Sequence, residues 1–181
     1  MHAPTLGDPA QLPTWVLALA SLVEGHSLIN LNFLVEAYID FGPNIDSSFY
    51  YTATIHLMRG ISHVQSPHLT GHCSKALLLN CDPIHEFPNM IYLKMCNCYA
   101  GWEITLACSN YLETLVFDFE LSSQELPWHI NRLMDLTEKV PFCLLYHLKA
   151  IKFSSFQGKQ IELQVAEYLL KNARVLENLT I

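Results

Sequence analysis

RVLENLTI, residues 174–181, places apolar side chains at Leu176, Leu179 and Ile181 in an L-x-x-L-x-L frame, directly after a stretch with helical periodicity. The frame recurs upstream. HLKAIKF carries Leu148, Ile151 and Phe153, and YLETLVF carries Leu112, Leu115 and Phe117. Farther back, NMIYLKM carries Met90, Leu93 and Met95, and FLVEAYI carries Leu34, Ala37 and Ile39. A weaker copy, HVQSPHL, has Val64, Pro67 and Leu69.

The middle positions of the six copies are 37, 67, 93, 115, 151 and 179, with steps of 30, 26, 22, 36 and 28 residues. In a strand, alternate side chains face one way, so the second and third apolar positions of each frame enter the same core. One such strand cannot bury its apolar face alone, and similar units must stack on it. The steps lie in or near the range of leucine-rich repeats, about 20–29 residues. The step of 36 contains Pro127 and Pro141 and predicts an inserted segment. The expected fold is therefore α/β: a leucine-rich-repeat-like β-α solenoid, with a short curved parallel sheet and helices on its convex side. The residues between the apolar pair of each frame, Tyr38, Lys94, Val116, Lys152 and Thr180, are expected on the concave face as a partner-binding surface. Pro67 removes a ladder donor and predicts an irregular unit there.

Between the last two copies, Ile161, Val165 and Leu169 recur at i, i+4 and i+8, with Ala166, Leu170 and Ala173 widening the apolar stripe. Residues 148–181 thus form one β-α-β unit. Leu115, Ile151, Leu169 and Leu179 are expected to be buried together.

Composition agrees with a folded chain: 51% of the 181 residues are hydrophobic and 15% charged, which opposes disorder. Net charge is −7, and residues 1–58 contain no Lys or Arg. A nucleic-acid partner needs a concentrated basic face, and none is visible. The longest apolar run, Trp15–Val23, is too short for a bilayer, which takes about twenty residues. It also lacks the positive flank of a secretory signal. No membrane partner is expected. The six cysteines cluster between Cys73 and Cys143 rather than forming a spread disulfide framework. These features predict an intracellular protein of the cytoplasm or nucleus, not a secreted one.

VPFCLLYHLKAIKFSSFQG (140–158) and ELQVAEYLLKNARVLENLTI (162–181) resemble the plant FBD domain that closes many F-box/leucine-rich-repeat proteins. Cys143, Leu144, Leu145, His147, Leu148 and Lys149 fit its C-L-L-x-H-L-K phrase. Tyr168, Leu169, Leu170, Asn172, Ala173, Leu176 and Glu177 fit its Y-L-L-x-N-A-x-x-L-E phrase. EFPNMIYLKM and CSNYLETLVFDFE are similar to the repeats that precede that domain. The resemblance implies an irregular segment at 1–27, repeat units at 28–125 and an FBD domain at 126–181 that completes the solenoid and ends the chain. It also implies a non-enzymatic module that binds a protein substrate on behalf of a cullin-type ubiquitin ligase. Residues 1–33 lack the pattern of an F-box, so the Skp-type adaptor is expected as a partner only if an F-box is supplied. A truncated or competing fragment without a ligase role is the alternative.

Chemistry-bearing residues concentrate at His63, His68, His72, Cys73, Cys81, His85, Cys96 and Cys98. Structural zinc needs four convergent ligands, usually as C-x2–4-C and H-x3–5-H pairs. His68 and His72 are usably spaced, whereas Cys96 and Cys98 are too close. Cys98 instead fits the N/C position of L-x-x-L-x-L-x-x-N/C counted from Met90. A Cys–His hydrolase would use Cys73 or Cys143 with a histidine base, but neither cysteine has a local motif. Asp118 and Glu120 are spaced for one strand face and read as a solvated strand end. FYYTA, 49–53, reads as core or as an aromatic anchor. No phosphate-binding glycine loop occurs. No metal, cofactor or catalytic residue is expected.

Overall fold

The computed structural model describes residues 35–39, 57–71, 73, 86–98, 101–119 and 139–181. The Trp15–Val23 run, FYYTA, His72, Cys81, His85, Glu120 and Pro127 lie outside them. Six strands form one parallel sheet that is not closed, in chain order: β1 (Glu36–Ile39), β2 (Ser66–Thr70), β3 (Tyr92–Cys96), β4 (Thr114–Asp118), β5 (Ala150–Ser154) and β6 (Asn178–Thr180). Three described helices lie between later strands: α1 (Trp102–Ala107), α2 (Phe142–Tyr146) and α3 (Gln160–Asn172).

The six frames fall into register. Leu93, Leu115, Ile151 and Leu179 are cross-strand partners, and so are Ile39, Leu69, Met95, Phe117 and Phe153. A slip of one residue would turn each of these side chains to the other face, so the buried rows fix the register.

One backbone joint recurs between successive units. The carbonyl two residues before the middle of each frame accepts two consecutive N–H groups of the next unit. Val35 O takes Gln65 and Ser66 N–H at 3.2 and 3.0 Å, and Gln65 O takes those of Ile91 and Tyr92 at 3.0 and 3.1 Å. Ile91, Glu113 and Lys149 repeat the arrangement, the last accepting from Glu177 and Asn178 at 2.8 and 2.9 Å. The uneven steps of the sequence are thus absorbed between strands, while the joints stay alike.

Pro67 does not break β2, which pairs with strands on both sides. Side alternates along a strand. The Gln65 carbonyl faces β3, so Pro67, two residues on, turns its missing donor there as well. The β2–β3 register accordingly runs from His68 to Thr70, while Pro67 still pairs with Ala37 of β1. Just past β2, a Cβ on Gly71 would lie 2.1 Å from the Asn97 carbonyl oxygen, so this turn requires glycine.

The helices cover one face of the sheet. Trp102 of α1 meets Phe117 edge-on at 5.9 Å and Tyr168 of α3 at 5.4 Å, bridging strand and helix. Phe117, Phe119 and Phe153 stack in parallel, and Phe156 tilts against the last two. Met90, Leu93, Met95 and Cys98 are all fully buried, as the nine-residue motif requires of that unit. On α3, Val165 and Leu169 enter the core as the periodicity predicts. Leu170, at the edge of the stripe, does not, and Glu162, three residues before Val165 on the same face, is buried with them. Glu162 Oε2 accepts the N–H groups of Gln157 and Lys159 at 2.8 and 3.2 Å, which gives this carboxylate oxygen partners on the buried face.

Leu115, Ile151 and Leu169 are buried together as expected, but Leu179 is 42% exposed. It sits in register beside Ile151 on the edge strand, and no described element packs on its far side.

Candidate functional site

With odd-numbered positions of β3, β4 and β5 turned to the helices, the even-numbered ones face the opposite way. Tyr38, His68, Lys94, Val116, Lys152 and Thr180 are successive cross-strand partners and form one row across all six strands. The five residues expected on this face therefore share a row. His68 completes it, although in the sequence this residue is weighed only as a zinc ligand, and that role is set aside. Its signal was present, since HVQSPHL puts His68 at the same frame position as Lys94 or Lys152. Pro67 beside it made that copy look irregular.

The row is electrostatically uneven. Lys94 Nζ lies 2.9 Å from Asp118 Oδ2 at the face's centre, and this bond holds the lysine above its ordinary pKa. Asp118 also accepts from Ser155 Oγ at 3.2 Å. Its carboxylate is thus tied to a cation and a hydroxyl rather than left as half of an acid–base pair. Toward β1, His68 and Tyr92 approach with ring centroids 5.8 Å apart. Partial burial pushes His68 below the usual imidazole range; nearby Lys94 adds to the effect and Glu36 opposes it. Burial likewise raises the Tyr92 phenol. At neutral pH this end presents rings and hydrogen-bonding groups. Val116, 7% exposed, makes an apolar floor, and beyond it Lys152 is exposed on β5.

The two cysteines weighed as nucleophiles lie elsewhere. Cys73 is buried, with its thiol 3.3 Å from Ile39 O. Cys143 is buried with its thiol 3.5 Å from Leu106 O, and burial pushes its pKa up to about 12. The thiolate is the nucleophile of cysteine catalysis, and this environment opposes it. Cys98 packs in the core, whereas His68 and Cys96 occupy the open face. Among the described residues, no three His, Cys, Asp or Glu side chains are grouped to hold a metal ion. No described helix is long and apolar enough to cross a membrane.

Residues 137–181 match the FBD family. The chain is similar to F-box/FBD/LRR-repeat proteins of Arabidopsis thaliana. It is 30% identical to one over 99 residues, covering 52% of this chain and 22% of the relative. A second is 31% identical over 154 residues, covering 81% of this chain and 33% of the relative. A relative described as a putative F-box/FBD/LRR-repeat protein is 36% identical over 103 residues, covering 52% of this chain and 23% of its own length. The chain spans a third or less of the length of these relatives. No solved structure matches it.

Proposed function

From an FBD domain at the C-terminal end as premise, we propose that this chain is a non-enzymatic protein-binding module, the counterpart of the substrate-recognition region of an F-box/FBD/LRR adaptor in a cullin-type ubiquitin ligase. Its units stack as a leucine-rich-repeat-like solenoid, with repeat units over 28–125 and the FBD domain over 126–181 completing the same sheet. The face opposite the helices is then concave and holds the partner. The observation that carries this reading is the row Tyr38–His68–Lys94–Val116–Lys152–Thr180, one residue from every strand on one face. The names of the relatives and the repeated joints support it. The thiol of Cys143, buried and held protonated, suits packing rather than catalysis. The module works inside the cell, in the cytoplasm or nucleus.

Affinity purification from plant extract, read by mass spectrometry, tests the proposal. The chain, a Val116→Asp variant and a fusion carrying an added F-box are compared. A partner is expected with the chain and the fusion and is lost with Val116→Asp, while the Skp-type adaptor accompanies the fusion alone. A partner set indifferent to Val116→Asp overturns the face assignment. Adaptor bound to the chain itself overturns the requirement for a supplied F-box.

A further inference from the structure

Among the described residues the open face carries few charges, and their arrangement is directional. Of its two described lysines, Lys94 is neutralised by Asp118 at 2.9 Å. Lys152 is exposed and takes part in neither described ion pair. Its row neighbours are the apolar Val116 and the uncharged Thr180, and Ala150 and Ser154 flank it along β5. At the other end, Glu36 stands on β1 beside the ring-bearing group of Tyr38, His68 and Tyr92. Glu36 and Lys152 are four strands apart, about 19 Å at the usual inter-strand spacing.

Resting on the reading of this face as a binding surface, we propose that its partner is an extended polypeptide segment with an acidic side chain. The carboxylate sits on Lys152, and an aromatic or aliphatic side chain of the same segment sits on the Tyr38–His68–Tyr92 end. Charge complementarity fixes the direction: the acidic end over β1 would meet Glu36, whereas over β5 it meets the Lys152 ammonium, which is in neither described ion pair. Val116 between them favours an apolar stem over a second charge. Among the described residues the face offers one lysine outside the described ion pairs, too little for a nucleic acid, which takes several phosphate contacts. At about 3.3 Å per extended residue, some six residues span the two ends.

The test is panning of a displayed library of random peptides about twelve residues long, enough to cross the face at that rise. The full chain, Lys152→Glu and Val116→Asp are panned in parallel, each with its thermal midpoint recorded. The expected peptides carry Asp or Glu at a fixed separation from an aromatic or aliphatic residue. Lys152→Glu, folded like the parent, then selects Lys or Arg at that place, and Val116→Asp selects nothing. For a synthetic peptide of the selected sequence, Lys152→Gln weakens binding by roughly three- to tenfold without altering the melt. Selection without a charge preference, or an acidic preference that survives Lys152→Glu, overturns the proposal while leaving the face assignment standing. Selection that survives Val116→Asp, or none on the parent chain, overturns the face assignment itself.

Discussion

β5 and β6 carry the same frame, their units each donate two consecutive N–H groups to one carbonyl of the preceding unit, and Ile151 aligns with Leu179. Yet Ile151 is 1% exposed and Leu179 42%. Ile151 has a strand on either side and Leu169 and Val165 in the same core; Leu179 has β5 on one side only. In stacked units, burial belongs to the interface between neighbours. An identical motif therefore contributes differently by its place in the stack.

The comparison breaks or holds on truncation. Ile151→Ala should cost on the order of 2–5 kcal/mol, the range for emptying a close-packed site. Leu179→Ala should cost under about 1 kcal/mol, because the side chain already meets solvent. Denaturant unfolding of both variants is the measurement, and equal losses would sink the argument.

The turn after β2 sharpens the comparison at an interior junction. Gly71→Ala forces a methyl against the Asn97 carbonyl, with 2.1 Å available between backbone segments that both neighbours hold in place. A loss of about 3 kcal/mol is expected. A melt like the parent's would show that the two units slide apart freely.

A smaller effect separates the two glutamates that are buried among the described residues. Glu162 beside the last unit is held by two backbone N–H groups. Glu103, in the first turn of α1 inside the stack, has its carboxyl raised from 4.5 to about 7 by burial. Its folded value exceeds its unfolded one, so the stability it contributes is fully present below about 4.5 and lost as pH rises through about 7. Glu103→Gln should remove that loss, raising stability at pH 8 over the parent by about 2 kcal/mol more than at pH 5. Thermal melts at both values read it; equal shifts would place the carboxyl in contact with solvent.

Much of the candidate face was legible from spacing alone. Tyr38, Lys94, Val116, Lys152 and Thr180 follow from the frame, because a period of two leaves little freedom about which side chain shares a face. His68 was equally legible by position and was obscured by its proline neighbour. Asp118 was visible as a strand-face carboxylate, but its bond to Lys94 was not. That partner is 24 residues away, and which rows lie side by side is settled only by strand register.

The division is physical. Local sequence determines what depends on periodicity: the six strands, their inward and outward residues, and the apolar stripe of α3. Tertiary structure alone decides what depends on neighbours. The Trp102 bridge between Phe117 and Tyr168, the exposure of Leu179 and the pairing of Lys94 with Asp118 all belong to it. Each arises from contacts between segments distant in the chain or from the absence of a neighbour at the sheet's edge, and a pattern repeated along one strand carries no record of either.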